Sequence, residues 1–167
     1  MNDLPASQLL WDKKTIPNFS RSEFSHTDLT LLDGAFILEL QSFREKLGHS
    51  VFPSPHPDAF ARLTGSYTSR HSAVDRLANA GDVFPDCHIA EAFLTALRTS
   101  FGGIGIYLDT EYKGIEWPML HLDLRPMNEQ AIWIRETING VQKYTTFYPH
   151  RDPDVLRDIF KKLSEVE

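Results

Sequence analysis

Between Thr30 and Leu47, apolar side chains recur at Leu32, Phe36, Leu40, Phe43 and Leu47, at intervals of four, four, three and four. That is the period of one helix face and predicts an amphipathic helix from about Thr30 to Leu47. Thr30 followed by Asp33 reads as a capping box with Asp in place of Glu, and Gly48 supplies a stop. Residues 1–27 are polar and irregular, broken by Pro5 and Pro17. Trp11, Ile16, Phe19 and Phe24 are expected to tack that arm onto the body. From His49 to Asp86 the chain is punctuated by Pro53, Pro55, Pro57, Gly65, Gly81 and Pro85, which predicts a loop-rich stretch. A second helix is expected over about Asp86 to Thr99, with Ile89, Phe93 and Leu97 inward and Gly102-Gly103 ending it.

The second half changes period. Ile104 to Tyr107, Met119 to Leu124, Ala131 to Arg135 and Val141 to Phe147 are short β-favouring runs between turn residues. Asn139-Gly140 between the last two is a hairpin signal. Asp152-Pro153 reads as N-cap and first position of a final helix that turns Leu156, Ile159, Phe160 and Leu163 inward. Helices grouped outside a small, mostly antiparallel sheet make the expected class α+β.

Composition narrows the function classes. A length of 167 residues fits one domain, 1–167, with an arm over 1–17 and a C-terminal hairpin and helix over 128–167. Seventeen basic against 23 acidic residues give a formal charge of −6, so the basic footprint of a nucleic-acid binder is missing. The single Cys87 excludes an intramolecular disulfide framework and a multi-cysteine zinc ribbon. No apolar run approaches the ~20 residues of a membrane span. The opening Met1-Asn2-Asp3-Leu4-Pro5 lacks signal-peptide features, so the expectation is cytoplasmic synthesis, no membrane insertion and no nucleic-acid partner for a monomer.

Candidate chemistry concentrates in two places. In Leu120-His121-Leu122-Asp123-Leu124-Arg125, strand alternation puts the leucines on one face and His121, Asp123 and Arg125 on the other. A wetted outer face is the plain reading of that pattern. An imidazole among residues this apolar nevertheless needs a partner, and His121 is placed to bind a metal with Asp123 orienting it. The other place runs from Ser69-Arg70-His71 to Ala80-Gly81-Asp82-Val83, where Asp82 sits in a strand-like run and reads as either ligand or turn residue. Asp75, four positions after His71, is the alternative carboxylate. Two histidines and one carboxylate with an open fourth position form a catalytic rather than a structural zinc set. Such a site needs a base; Glu116 is the first candidate and Asp123 the second. His26, His49, His56 and His150 read as surface positions, His88 as structural and Cys87 as packing.

At these residues the sequence resembles the zinc D-alanyl-D-alanine carboxypeptidase family of the Hedgehog/DD-peptidase fold, and within it the phage and prophage peptidoglycan peptidases. The family's Ser-x-His, Ala-x-Asp and late His-x-Asp are matched by Ser69-Arg70-His71, Ala80-Gly81-Asp82 and His121-Leu122-Asp123. Phe19 to Phe24 with the helix ending Arg44-Glu45-Lys46-Leu47-Gly48, and Gly102-Gly103-Ile104-Gly105-Ile106-Tyr107, extend the likeness over roughly 18–127. The resemblance implies Zn²⁺ held by His71, Asp82 and His121, and a peptidoglycan stem-peptide substrate. It further implies substrate contacts from Ser69, Arg70, Tyr107 and Arg125, and action on the cell wall after delivery by a phage or a secretion system. Three features depart from the pattern. Ten residues separate His71 from Asp82, more than the family's usual interval. Pro118 stands where relatives often carry the catalytic acid, which keeps a non-catalytic zinc-binding module as the alternative. Tyr67-Thr68 replaces the family's Tyr-Arg, leaving Arg70 or Arg62 to grip a carboxylate.

Overall fold

A computed structural model describes residues 4–66, 68–149, 151 and 154–166. Helix α1 spans Gly34–Leu47 and ends on Gly48, whose φ of 72° is the left-handed cap that glycine accepts without strain. It begins later than the periodicity predicts. Thr30 spends its amide and hydroxyl on the Asp28 carboxylate, closing a turn. Asp33 is the actual N-cap and accepts from the Ala35 amide at 2.9 Å. Helix α2 is Ile89–Ala96, shorter at both ends than expected. His88 caps it through Nδ1, which accepts from the Ala90 amide. Gly102 and Gly103 do not end it; Gly103 opens a strand.

The 49–86 stretch is not loop throughout. It contains β1 (Val51–Pro53) and β2 (Ala80–Pro85), each ending on a proline, where a strand tolerates a missing donor. Next come β3 (Gly103–Tyr107), a small hairpin of β4 (Glu111–Tyr112) and β5 (Ile115–Glu116), and then β6 (Met119–Asp123). The long ribbon of β7 (Ala131–Ile138) and β8 (Val141–Phe147) follows. Asn139 and Gly140 turn that ribbon with φ of 53° and 77°, the two positive values a primed hairpin turn requires. Helix α3 covers Val155–Leu163. Ile159 and Leu163 are buried as expected, but Phe160 is exposed. The expected Asp152-Pro153 start lies outside the described residues.

The main sheet has the order β1-β2-β6-β3-β7-β8, antiparallel except for the parallel β3–β7 pair. The architecture is therefore α+β: a mostly antiparallel six-stranded sheet with three α-helices among the described residues. Alternation divides its faces. Val83, Ile104, Ile106, Leu120, Leu122, Ile132 and Ile134 turn into one core with Phe36, Phe43, Phe93 and Phe101. Ile16, Phe19 and Phe24 of the arm are buried in that core too, with Trp11 packed on Phe24. The opposite face is left for Asp82, His121, Asp123 and Trp133. No helix among the described residues is long and apolar enough to cross a membrane.

Candidate metal centre

Register builds the site. Asp82 on β2 pairs directly with His121 on β6, so a carboxylate and an imidazole project side by side from adjacent strands. His71 reaches them from the loop before β2, and that loop is braced in several places. The Ser69 hydroxyl accepts from the Arg62 guanidinium and from the His71 amide. The Ser69 carbonyl accepts from Arg76, and the Arg62 amide donates to the His71 carbonyl.

The donor atoms converge. His71 Nε2 lies 2.9 Å from His121 Nδ1, His121 Nδ1 lies 3.0 Å from Asp82 Oδ1, and His71 Nε2 lies 3.6 Å from that oxygen. Ligand atoms about 2.0–2.1 Å from a tetrahedral ion lie about 3.3 Å apart, a separation the three observed distances bracket. The outer nitrogens settle the tautomers. His71 Nδ1–H donates to the Phe60 carbonyl at 3.2 Å, and His121 Nε2–H donates to the Asp123 carboxylate at 3.2 Å. Those partners only accept, so both inner nitrogens present lone pairs to each other and to a carboxylate. Such an arrangement requires a cation between them, a proton or a metal, and the fixed outer nitrogens are the usual support for a metal-bound histidine. The buried His71, Asp82, His121 group can hold a metal ion. Asp75, the alternative carboxylate, is exposed and is not part of it.

The electrostatics agree with this division. Burial, together with charge on His121, pushes the His71 imidazole down to about 4. Burial also works against the charged form of His121, but Asp123 and Asp82 outweigh it and raise that imidazole to about 9 in the metal-free protein. Burial alone would raise the Asp123 carboxyl; Arg125 and His121 prevail and hold it well below the usual carboxylate range. Arg125 donates to Asp123 from Nε at 2.8 Å, Nη2 at 2.6 Å and its own amide at 3.0 Å.

Those contacts define what Asp123 and Arg125 do in the site. Asp123, the second base candidate, is fully buried with both oxygens accepting hydrogen bonds, one of them from the outer nitrogen of His121, which it orients. Arg125 holds Asp123, lies over the Trp133 ring at 5.3 Å from its centroid, and lines the cavity as well. Glu116 is exposed on β5 and lines a separate depression with Asp109 and Glu111, away from the triad.

The triad opens into a polar cavity of about 630 Å³. Ser69, Arg70 and Tyr107 line it, with Arg70 also paired to Glu129 at 3.4 Å. The Tyr107 hydroxyl accepts from Trp133 Nε1–H, and burial pushes its phenol up to about 12, so it stays protonated. Tyr67 lies outside the described residues. Several cavity residues, Trp133, Arg135 and Tyr144 among them, carry no signal in the sequence. His56, which the sequence places at the surface, also lines the cavity, and so does Asp58. The glycines of β3 are the signal that could have outlined the site. A Cβ at Gly103 would meet the Asp123 carboxylate, and one at Gly105 would come within 2.4 Å of the Trp133 indole, which packs on His121 at 5.0 Å. The alternation Gly-Ile-Gly-Ile marks a strand whose bare face lets its neighbours converge.

No protein-family model, curated protein or solved structure matches this chain, so the chemistry of the centre stands on its geometry.

Proposed function

We propose that the chain is a zinc-dependent peptidase that hydrolyses peptidoglycan stem peptides, as carboxypeptidase or endopeptidase, in the manner of an endolysin. The observation that carries the reading is the convergence of His71 Nε2, His121 Nδ1 and Asp82 Oδ1 at the floor of an open polar cavity. Two nitrogens and one oxygen suit zinc and leave a fourth position for solvent. Bound there, zinc would lower the pKa of water to about 7 and polarise a carbonyl. The chain's own residues do the rest. Asp123 and the Phe60 carbonyl fix the two rings, while Arg62 and Arg70 offer guanidinium groups to a substrate carboxylate. Tyr107 keeps a hydroxyl hydrogen for a substrate oxygen. The stem-peptide substrate comes from the resemblance of the Ser69–His71, Ala80–Val83 and His121–Asp123 motifs; it would be reached after release by a phage or a secretion system.

A second reading keeps the metal and drops the reaction, leaving a wall- or virion-binding module. It is favoured by Pro118 and by the placement of Glu116 outside the cavity. One experiment separates the two: metal analysis of protein purified without chelator, beside a muropeptide digest read by mass spectrometry. The hydrolase reading expects one zinc per chain and new peptide fragments, both lost in His71→Ala and His121→Ala. Zinc without cleavage of any muropeptide supports the module, and no zinc at all refutes both.

A further inference from the structure

A hydrolytic metal centre needs a proton acceptor beside its open position. The carboxylates lining the cavity among the described residues are Asp58, Asp82 and Asp123. Asp82 belongs to the metal group, and Asp123 is saturated by His121 and Arg125. Asp58 is left, and its carboxylate has no hydrogen bond or ion pair among the described residues.

The loop that carries Asp58 is tied to the metal group through the backbone. The Ser54 amide donates to the Asp82 carbonyl at 2.9 Å, and the Asp82 amide donates to the Ala59 carbonyl at 2.9 Å. Both ends of the 54–59 loop are thus pinned to the main chain of one ligand. Pro55 and Pro57 stiffen the loop between those pins. Inside it, His56 donates its amide to the Ser54 hydroxyl, and the Ala59 amide donates to the His56 carbonyl at 3.0 Å. The Asp58 amide donates to His56 Nδ1 at 3.2 Å. A ring nitrogen that accepts this bond carries no hydrogen, so the neutral imidazole holds its proton on Nε2. His56 is therefore set as a donor and Asp58 as an acceptor, side by side on one short loop over the cavity.

We propose that Asp58 is the catalytic base and that His56 Nε2–H is the hydrogen-bond donor beside it, replacing the acid that Pro118 displaces; this rests on the hydrolase reading above. The Asp58 carboxylate takes a proton from the attacking water as the water oxygen bonds to the scissile carbonyl carbon. His56 donates to the carbonyl oxygen as negative charge builds on it. The proton on Asp58 then passes to the amide nitrogen as the C–N bond breaks, giving one carboxylic acid and one amine with nothing else consumed.

The test uses the zinc-loaded full chain and its Asp58→Asn, Asp58→Glu, His56→Ala and His56→Gln variants. Both residues are exposed and the loop is pinned by backbone, so zinc content and melting temperature are expected to stay unchanged. Asp58→Asn is expected to lower kcat on a muropeptide roughly 10²–10⁴-fold with little change in KM, and Asp58→Glu to restore part of it. Affinity for acetohydroxamic acid, whose acidic proton needs an acceptor at the same place, should fall about tenfold in Asp58→Asn, a loss of about 1.4 kcal/mol. His56→Gln, which keeps an N–H donor, should retain more turnover than His56→Ala. Full turnover and unchanged acetohydroxamate affinity in Asp58→Asn overturn the base, and the reverse order at position 56 overturns the donor. An unmodified protein that cleaves no muropeptide overturns the hydrolase reading and this inference together; one that cleaves, with an equally active Asp58→Asn, overturns the inference alone.

Discussion

Replacing Asp123 by Asn separates a positioning role from a catalytic one. The native carboxylate has no solvent exposure and receives His121 on one oxygen and the Arg125 fork across both. Asn offers one acceptor and turns an NH₂ toward one of those donors, so either His121 or Arg125 loses its partner. Breaking a buried charge pair from one side costs about 3–5 kcal/mol. The Arg125 side chain is 23% exposed, and solvent screening of the orphaned guanidinium places the loss at the low end, about 3 kcal/mol. In a chain of this length each kcal/mol lowers Tm by about 2–4 °C, so the metal-free variant should melt about 6–12 °C lower. With His121 no longer held, zinc affinity should fall about 10–100-fold. The Asp123 carboxyl is held below its ordinary range, so it is ionised throughout the neutral region and its contacts to His121 and Arg125 are present at pH 6 and pH 8 alike. Thermal unfolding of the metal-free protein and a competitive zinc titration measure the two quantities. A variant with native Tm and native zinc affinity but no turnover would refute the reasoning and return Asp123 to the role of base.

Zinc binding should be coupled to proton release. His121 keeps its proton up to about pH 9 in the metal-free protein and loses it near 6.5 when unfolded. A raised folded value means that its contribution to stability is full below about 6.5 and is lost as pH rises through 9. Zinc must displace that proton, so affinity should rise about tenfold per pH unit from pH 6 to 8, with close to one proton released per zinc at pH 7 by calorimetry in buffers of different ionisation enthalpy. A pH-independent affinity contradicts this. Gly105→Ala drives a methyl into the Trp133 indole, so a loss of about 1–3 kcal/mol in urea unfolding is expected, with weakened zinc binding as the indole shifts on His121. Unchanged values for both would show that the strand yields freely. The Cys87 thiol, pushed up to about 11 by burial and then by Glu91 and Asp86, should react with iodoacetamide at pH 8 about 200-fold more slowly than a free cysteine. Equal rates in folded and urea-unfolded protein would refute that.

Where the chain is regular, local physics carried the reading far. A helix face at Phe36, Leu40, Phe43 and Leu47 follows from period, strands near 104–107, 119–124 and 141–147 follow from β-favouring runs between turn residues and are found within a residue of those bounds, and the Asn139-Gly140 turn follows from steric demand. The errors are local competitions. Thr30 has a nearer acceptor in Asp28 than any helix amide, so α1 starts after Asp33. Pro53 and Pro85 disguise β1 and β2 as loop because each strand ends on its proline, where the lost donor costs nothing. Asp82 and His121 were legible as lone polar positions in apolar runs, since burying either without a partner is costly. That they are partners of each other depends on the register of β2 against β6, a tertiary fact.

The proton acceptor illustrates the deeper limit. Glu116 and Asp123 stand near His121 in the chain, and chain distance is a fair guide to distance in space only within one strand or helix. Glu116 is carried off by the β4–β5 hairpin, whose tight turn at Lys113 and Gly114 reverses the backbone before β6 begins. Asp123 is two residues from His121 on the same face, which brings it onto the outer nitrogen, the side away from the cavity's reacting position. A group that serves the inner side must come from another element. Asp58 lines the cavity from a different element, a loop whose two ends are anchored by the Asp82 carbonyl and amide. No periodicity records such an anchor, for the bonds are made by backbone atoms that every residue but proline could supply. What the sequence does show is the stiffness the anchor needs, in Ser54-Pro55-His56-Pro57-Asp58, where two prolines hold an imidazole and a carboxylate in fixed order. A proline-framed His-x-Asp in a loop between a short edge strand and a ligand strand is therefore a pattern to weigh whenever the expected base is missing.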